Sequence, residues 1–389
     1  MQDTSLCFIS CHLAAHEGEK KATKRNNDIR EILAGARVGP HKWMDAATQF
    51  DHCWFIGDLN YRVDLQQLDG VDRSAAQHVE EVCGQAASGQ FDALQSADQL
   101  HRELSTRRVL VGFSEGRLAY PPTFKVERQR ELQYTRKRIP SYCDRILFRS
   151  QPGLSGNHRQ EWVQPVAAVA SSDHKPVVSV HEVRVRAAAA APPASTSRPS
   201  APLCLAITGL HATRLTAMDA NGKNDAYVKF HSVALVSASA APQTKVIKAT
   251  VDPRWDNAHV PDLTLRFQCL ADVQTEHLFL AVWDKDFASR DDHIGTAVLS
   301  LACCNTLNSP AKFELDVVRD GQVHGRIAGR VEITDQAAGP RGQGSPAMHQ
   351  SEGWYTPGPA LAADTEHSVS RIRVATFNCG NAPAEAGQL

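Results

Sequence analysis

The chain has 389 residues, with 42 Lys and Arg against 43 Asp and Glu, so its formal net charge is −1. This balance argues against a nucleic-acid coat or a globally basic membrane binder, so any electrostatic targeting must be local. Hydrophobic residues make up 42% of the sequence and charged residues 22%, which is enough apolar surface to build packed cores and excludes disorder of the whole chain.

Signals for targeting and for structural zinc are lacking in the sequence. It contains no run of about 18 apolar residues, so we expect no transmembrane helix. The first residues carry no basic segment before an apolar core, so we expect no signal peptide. The ten cysteines are scattered without a CxxC pair, which argues against zinc ribbons. A cytoplasmic protein is the simplest interpretation.

Changes in composition divide the chain into three blocks. Residues 184–202 and 337–368 are rich in Ala, Pro, Ser and Gly without a visible period, which predicts linkers. The ordered blocks are then 1–183, 203–336 and a tail at 369–389.

Short apolar runs alternate with longer helical patterns in the first block. Strands are predicted near 6–9, 53–56, 144–148 and 177–183, the second of them ended by Gly57, and helices near 20–33 and 71–104. This alternation is typical of an α/β layered fold. In the second block, a period of two at 203–208 and 278–283 predicts an all-β sandwich.

Two polar segments of the first block lie beside predicted strands. Asp58 and Asn60 follow the apolar run 54–56 and are two residues apart, so they project to the same side of an extended chain. A carboxylate there can take a proton from water while the amide orients that water, and an ordinary turn is the alternative. Asp144 and Arg145 open another strand, where the alternative is a surface ion pair.

Histidines provide two further candidates. Asp173 and His174 precede a β-rich run; such a pair can fix a metal and hold a phosphate oxygen or a proton, or simply form an Asx turn. His12 and His16 are four apart, but the glutamate of the HExxH zinc motif is absent and a strand precedes them, so we reject zinc.

The stretch 125–149 is locally basic. It holds eight Lys and Arg against three Asp and Glu, an excess of five positive charges on a nearly neutral chain. Such a concentration favours phosphate recognition, and a solvated basic face is the alternative.

These segments occur in an order that resembles the inositol polyphosphate 5-phosphatases of the DNase I-like superfamily. The matching motifs are CHLAAH at 11–16, WFIGDLNYR at 54–62, PPTFK at 121–125, KRIPSYCDRIL at 137–147 and SSDHKPV at 171–177. GDxN and SDH also fit nucleases and sphingomyelinases of the superfamily, whereas PPTFK followed by KRxPxxCDR is far more specific to 5-phosphatases. The resemblance implies a partial DNase I-like α/β four-layer sandwich over residues 1–183, the C-terminal part of such a catalytic domain.

The resemblance also implies catalytic roles. Asp58 would activate the attacking water, with Asn60 orienting it. His174, buttressed by Asp144, would hold the scissile phosphate, and His12 would contact the phosphate or the leaving group.

Metal and substrate residues are implied in the same way. Asp173 would help to place Mg²⁺. Recognition of the neighbouring ring phosphate would fall to Lys125, Tyr134, Lys137 and Arg138. The family domain opens with a T-[WF]-N strand, and a later strand supplies a metal-binding glutamate. Neither precedes Met1, so we expect an incomplete Mg²⁺ ligand set at this end of the domain.

Acidic loops mark the second block. Residues 219–227 and 283–295 place six aspartates between predicted strands, where they would repel one another unless a hard cation lay among them. An EF-hand fails, because Gly222 falls at the fourth loop position instead of the sixth.

The spacings DxxGxNDxY and WDxDxxSxDDxIG resemble those of a C2 domain, over residues 203–336. The implied calcium ligands are Asp219, Asp225, Asp284, Asp286 and Asp292, with Ser289 as an accessory. Calcium would make this loop end neutral or positive and allow contact with anionic lipid. The alternative is a structural C2 domain whose acidic residues only add solubility.

The tail resembles the opening strand that the first block lacks. Ile372 and Val374 alternate as in a strand, and Asn378 matches the metal-side asparagine, an implied second Mg²⁺ ligand. We expect residues 369–389 to be the first strand of a further phosphatase domain in a tandem array. The alternatives are a circular permutation, in which the tail folds back and completes the first block, and an unstructured end.

Together the motifs predict a phosphoric monoester hydrolase: Mg²⁺-dependent removal of the 5-phosphate from phosphoinositides or inositol polyphosphates, with a Ca²⁺-dependent C2 domain for peripheral membrane association and no nucleic-acid partner. A neighbouring C2 domain favours a lipid substrate, because a membrane tether raises the effective concentration. The alternative function is a catalytically inert phosphatase remnant that acts as a calcium-dependent phospholipid-binding protein. A nuclease or sphingomyelinase is a weaker alternative.

Overall fold

The computed structural model of the protein describes residues 4–186, 202–236, 240–267, 269–287, 289–335 and 367–376. Most of both predicted linkers, and Asn378, lie outside the described residues. Among the described helices, none is long and apolar enough to cross a bilayer.

Strands and helices alternate in the first block, and strands dominate the second. The strands are β1 (Leu6–His12), β2 (His52–Asp58), β3 (Ser114–Glu115), β4 (Asp144–Ser150), β5 (His158–Pro165), β6 (Val177–Arg186), β7 (Leu203–Thr213), β8 (Ala226–His231), β9 (Leu263–Thr264), β10 (His277–Asp284), β11 (Asp292–Ser300), β12 (Ala311–Arg319), β13 (Gln322–Asp335) and β14 (His367–Thr376). The helices are α1 (Glu19–Gly35), α2 (Ala46–Gln49), α3 (Leu65–Asp69), α4 (Ala75–Ala87), α5 (Phe91–Ser96), α6 (Gln99–Ser105) and α7 (Leu270–Gln274).

The first sheet has the strand order β1-β2-β4-β3, with β1 parallel and β4 antiparallel to β2. Phe55 of β2 packs in a core with α1 and α6, whereas Trp54 packs on the opposite side, so both rings are fully buried. The prediction that Gly57 ends this strand is wrong, because β2 continues to Asp58. Glycine is needed at this position for a close approach, since a Cβ atom would lie 2.0 Å from the carbonyl oxygen of Cys11 in β1.

The second sheet has the order β14-β6-β5 and shares the core of Trp54. The tail strand β14 pairs antiparallel with β6, and Val374 is only 4% exposed. The strand predicted from the alternation of Ile372 and Val374 is therefore confirmed. Residues 367–376 fold back onto the first block, where Val374 and Ile372 pack in its core. The assignment of this strand to a further phosphatase domain of a longer protein stays a prediction.

The helical stretch predicted at 71–104 is interrupted twice. α4 begins only at Ala75, because Ser74 and Gln77 form a reciprocal capping box. Asp98 starts α6 afresh by accepting the backbone N–H of His101 at 2.9 Å. Local side-chain capping thus overrides the continuous helical composition of this segment.

The second block is an all-β unit, as predicted. Its seven-stranded sheet has the order β8-β10-β11-β12-β13-β7-β9 and folds around a single apolar core. Between β12 and β13 the chain turns at Asp320 and Gly321, whose φ angles are +51° and +75°. Two successive positive φ angles are typical of the type I′ hairpin turn.

This hairpin turn is docked on the first block. The Asp320 N–H donates to Asp45 Oδ2 at 3.0 Å, and the Asp320 carboxylate pairs with Arg37 at 3.0 Å. The carbonyl of Gly321 accepts from the Val111 N–H at 3.0 Å. These contacts connect the hairpin with α2 and with the segments after α1 and α6.

An aromatic cluster forms a second contact between the blocks. The ring of Trp43 lies 5.0 Å from the rings of His231 and His293, and 5.6 Å from that of Trp283. Trp283 immediately precedes the predicted calcium ligand Asp284. The contact therefore lies at the base of the second acidic loop.

Candidate active site

The carboxylates of Asp58 and Asp144 lie opposite each other on neighbouring strands. β2 ends at Asp58, β4 begins at Asp144, and the antiparallel register pairs the two residues. Their exposed fractions are 6% and 1%. Burial, and then the neighbouring Asp144 carboxylate, raise the pKa of Asp58 above its ordinary value. A carboxylate with a raised pKa is suited to accepting a proton from water.

His174 lies between these two carboxylates. Its Nδ1 is 3.0 Å from Asp144 Oδ2, and its Nε2 is 3.9 Å from Asp58 Oδ2. Burial alone would lower the pKa of His174, but the hydrogen bond and charge of Asp144 raise it above the ordinary value. Ser172 Oγ accepts the His174 backbone N–H at 3.1 Å, and the buried Lys175 ammonium donates to three main-chain carbonyls. These neighbours fix the segment that carries the imidazole.

His12 and Asn60 complete the group around Asp58. His12 Nε2 is 3.3 Å from Asp58 Oδ2, and its side chain is 63% exposed, so it stands at the mouth of the site. The backbone N–H of Asn60 donates to Asp58 Oδ1 at 3.0 Å, and its Nδ2 donates to the carbonyl of Leu13 at 3.1 Å. Five of the predicted catalytic residues are therefore brought together, namely His12, Asp58, Asn60, Asp144 and His174, and their chemical roles stay predictions.

Three further residues support this group and received no role from the sequence. Thr123 Oγ1 donates to Asp144 Oδ2 at 2.9 Å. Arg62 Nη2 donates to Asn60 Oδ1 at 2.7 Å, and the ring of Phe124 lies 4.6 Å from that of His174. All three lie within the motifs WFIGDLNYR and PPTFK, so the sequence marked their positions. It could not show that these side chains are buried or which groups they contact.

Lys125 and Asp173 form an ion pair beside His174. Lys125 Nζ is 2.8 Å from Asp173 Oδ2, and the two side chains are 32% and 20% exposed. Burial alone would raise the pKa of Asp173, but the hydrogen bond and charge of Lys125 lower it below the ordinary value. The predicted phosphate-binding lysine thus already faces an anion.

The other predicted substrate residues differ in their availability. The hydroxyl of Tyr134 donates to the carbonyl of Pro122 at 2.9 Å, so it already has a main-chain partner. Lys137 is exposed, and Arg138 is exposed with Glu17 Oε2 at 3.6 Å. Recognition of a ring phosphate by these groups stays a prediction.

A complete magnesium site is not formed by the described residues. Among them, no group of three or more His, Cys, Asp and Glu side chains is arranged to hold a metal ion. Asp173 is engaged by Lys125, and Asn378 lies outside the described residues. Asp144 Oδ1 is buried without a hydrogen-bond partner, so one carboxylate oxygen near His174 is still available.

The predicted calcium ligands lie on two loops at one end of the second block. Asp284 is 2% exposed, and its Oδ1 accepts the backbone N–H of Asp225 at 2.6 Å. Burial raises the pKa of Asp284; the Asp225 N–H opposes this, and the nearby carboxylates of Asp219, Asp286 and Asp225 add to it. Three of the other predicted ligands, Asp219, Asp225 and Asp286, therefore lie within electrostatic range of Asp284.

The remaining ligands of this loop pair lie further out. Asp292 stands opposite Asp284 in the strand register and is exposed, as is Ser289. Asp291, which received no role, accepts from the Tyr227 hydroxyl at 2.5 Å. The donor chemistry suits a hard cation such as Ca²⁺, but in the described residues the carboxylates have not converged to ligating positions.

Each of the two blocks is similar to a known protein family. Residues 1–180 match the Endonuclease/Exonuclease/phosphatase family 2, and residues 203–315 match the C2 domain. Phosphatidylinositol 3,4,5-trisphosphate 5-phosphatase 2B of Danio rerio is 28% identical over 360 residues, which cover 85% of this chain and 26% of that protein. Type II inositol 1,4,5-trisphosphate 5-phosphatase of Mus musculus is 32% identical over 191 residues, which cover 48% of this chain and 17% of that protein.

One solved structure is also similar in sequence to part of this chain. The inositol polyphosphate 5-phosphatase domain of SpSynaptojanin, in complex with inositol (1,4)-bisphosphate and calcium ion, has 31% sequence identity and a TM-score of 0.37, with 45% of this chain and 46% of that chain covered. The chain spans about a quarter or less of the length of the curated relatives named above. Their names are those of phosphoric monoester hydrolases acting on phosphoinositides and inositol polyphosphates. By these similarities the chain is a 5-phosphatase-like protein with a C2 domain: its first block is similar to the Endonuclease/Exonuclease/phosphatase family 2 and its second block to the C2 domain.

Proposed function

We propose that this chain hydrolyses the 5-phosphate of phosphoinositides or inositol polyphosphates in a Mg²⁺-dependent reaction. The observation that carries this function is the convergence of Asp58, His174 and Asp144, with His12 at the exposed mouth of the site. The names of the relatives support the substrate class.

The chain's own groups account for the main steps of hydrolysis. Water attack on a phosphoester needs positioning and charge stabilisation more than covalent catalysis. Asp58 accepts a proton from the attacking water, which the side-chain amide of Asn60 orients. The bond between phosphorus and the water oxygen forms as that between phosphorus and the inositol oxygen breaks, and the inositol oxygen leaves with the bonding electron pair and takes up a proton from solvent. His174, held by Asp144, donates an N–H to a phosphate oxygen, and His12 contacts the phosphate or the departing oxygen.

The cations beside the site would set the substrate preference. Lys125 is paired with Asp173, so a neighbouring ring phosphate would have to displace the Asp173 carboxylate from the Lys125 ammonium group or bind that group beside it. A divalent cation, when bound, supplies further neutralisation of phosphate charge, and Asp173 and Asn378 would help to hold it.

Phosphate release from PI(4,5)P2 liposomes tests this function. We expect the purified 389-residue chain to release phosphate with Mg²⁺ and to lose this activity in EDTA. Asp58→Ala should slow turnover by at least about 100-fold, because the proton acceptor is removed. Asp92→Ala, which removes an exposed carboxylate on α5 paired with Arg117, is the control. An unchanged rate in Asp58→Ala would reject the assignment.

Lys125→Ala tests the contact with the neighbouring phosphate. We expect a higher KM or a lower kcat on 4-phosphorylated substrates and little change on substrates without that group, because only the former present a second phosphate to the ammonium group. Equal effects on the two substrates would contradict this role.

The C2 domain is proposed to bring the chain to anionic membranes when calcium binds its acidic loops. Co-sedimentation with phosphatidylserine liposomes should require Ca²⁺ and should be lost in Asp284→Asn, since that residue is central to the carboxylate cluster. Binding that is insensitive to both would reject the calcium role.

A second candidate function is that of an inert calcium-dependent lipid-binding protein. One observation favours it: the described residues do not form a metal site beside Asp58. Calcium-dependent co-sedimentation without phosphate release, from a chain whose circular dichroism shows it to be folded, would select this alternative.

A further inference from the structure

Arg62 is buried beneath the candidate active site and contacts Asn60 at two points. Its Nε donates to the Asn60 carbonyl at 3.0 Å, and its Nη2 donates to Asn60 Oδ1 at 2.7 Å. Arg62 is 4% exposed, so its guanidinium lies behind the site and out of reach of a substrate. Two donors in the fixed geometry of a guanidinium define the orientation of the group that they bind.

Asn60 needs such support because its backbone is in an unusual conformation. Its φ angle is +56°, the left-handed region, which asparagine tolerates better than most residues but which remains less favourable than the right-handed one. With Oδ1 taken by Arg62 and one hydrogen of Nδ2 donated to Leu13, the amide has one N–H left for the water beside Asp58. The hydrogen bonds of Arg62 determine where that N–H points.

The same guanidinium is stacked on an aromatic ring that supports His174. Arg62 Cζ lies 4.6 Å from the centre of the Phe124 ring, and the imidazole of His174 contacts the same ring at a centroid distance of 4.6 Å and an interplanar angle of 37°. Phe124 is itself fixed by two main-chain hydrogen bonds with Ser141, at 3.2 and 2.8 Å. The three side chains therefore form one stack, in the order Arg62, Phe124 and His174.

We propose that Arg62 is a positioning residue that, through its hydrogen bonds to Asn60 and its stack on Phe124, holds Asn60 and His174 in the orientations that hydrolysis requires, an inference that rests on the proposed function. Arg62 and Phe124 are 4% and 9% exposed, so neither contacts the substrate. Loss of the stack therefore lowers kcat more than it changes KM, because it misaligns the side chains proposed to act on the water and the scissile phosphate, whereas Lys137 and Arg138, which are proposed to bind the neighbouring ring phosphate, are not part of the stack.

Steady-state kinetics of the full chain on soluble inositol 1,4,5-trisphosphate with Mg²⁺ provide the first test. Arg62→Lys keeps the charge but loses the planar pair of N–H donors that binds Asn60, and Phe124→Leu removes the aromatic ring. We expect each variant to lower kcat by about tenfold or more, with KM within about threefold of the wild type. Phe124→Tyr keeps the aromatic ring, so we expect its kcat to stay within about threefold of the wild-type value. The double variant falls no further than about the larger single effect, since both changes break one stack.

Arg149→Lys is the matched control, because Arg149 is half-buried, donates to the Ala47 carbonyl at 2.9 Å and lies near the opposite end of β4 from Asp144. It should lower the melting temperature without changing kcat per folded molecule. A kcat within about twofold of the wild type in Arg62→Lys, or additive losses in the double variant, would overturn the positioning role.

A second readout requires no turnover. The side-chain proton signals of His174 depend on the Phe124 ring that faces it, so we expect them to move in Arg62→Lys and Phe124→Leu, while those of the exposed His101 on α6 stay in place. If the wild type releases no phosphate but the His174 signals move, the proposed function fails and the positioning geometry stands. Unmoved His174 signals would overturn the inference whatever the activity.

Discussion

A chain of buried histidines makes the first block sensitive to acid. His52 Nδ1 lies 2.9 Å from Ser150 Oγ, which is 3.2 Å from His158 Nδ1; His158 Nε2 is then 2.8 Å from His181 Nδ1, and His181 Nε2 is 3.0 Å from Ser179 Oγ. His158 and His181 are 8% and 0% exposed. We expect protonation of these buried histidines to be strongly unfavourable in the folded state.

The size of the effect follows from the shifted pKa values. Burial, with the neighbouring His52 and His181, lowers the pKa of His158 to about 3, and burial lowers that of His181 to about 4, from an ordinary value of 6.5. Below pH 6.5 the unfolded chain binds protons that the folded state rejects, so stability falls as the pH falls. At pH 5 each histidine costs about 2 kcal/mol, or about 4 kcal/mol for the pair. The loss levels off only near the two lowered pKa values, where the folded state also takes up protons.

Urea unfolding at pH 7.5 and pH 5.0, followed by circular dichroism, measures this loss. The double variant His158→Gln/His181→Gln should lose about 4 kcal/mol less than the wild type between the two pH values, even if it is less stable throughout. His101→Gln, which removes an exposed histidine on α6, should lose as much as the wild type. An equal loss in the wild type and the double variant would refute the reasoning.

Two further changes test the packing around the site and between the blocks. Arg145→Met should lower the free energy of unfolding by about 3–5 kcal/mol, because it leaves two buried carboxylates unpaired. Arg117→Met breaks an exposed ion pair and should lower that free energy by under about 1 kcal/mol. Urea unfolding of both variants measures the difference, and equal losses would contradict the role of burial. Gly321→Ala places a Cβ atom 2.8 Å from Leu33 at φ +75°, whereas Gly70→Ala has a similar φ of +73° and open space around it. We expect Gly321→Ala to lower the melting temperature more than Gly70→Ala, and equal shifts would show that the hairpin turn does not pack tightly on the first block.

The sequence predicted the strands of the site well because they are short, apolar and buried on both faces. The run at 53–56 became β2, and Asp58 lies at its end as the spacing required. The run at 144–148 became β4, whose first residue Asp144 faces Asp58. Local patterns were sufficient here because each strand is specified by its own apolar residues.

Other features depend on contacts between distant segments, which no local pattern reveals. Arg62 and Phe124 are more than 60 residues apart in sequence and meet only in the folded site. The left-handed backbone of Asn60 is held by hydrogen bonds and is not signalled by a glycine. The docking of β14 on β6 likewise joins segments nearly 200 residues apart, so composition could place a strand there but could not choose its partner.

The packing of the two blocks has a consequence for anyone who divides this protein for expression. The linker predicted at 184–202 looks like a natural place to cut, yet a C2 fragment that starts after it would uncover the rings of Trp283 and His293, which Trp43 now covers. Its hairpin at Asp320 would also lose Arg37 and Asp45. A newly exposed aromatic surface favours self-association. The separated C2 fragment should therefore be less soluble than the intact chain, and adding the first block as a separate polypeptide should restore it.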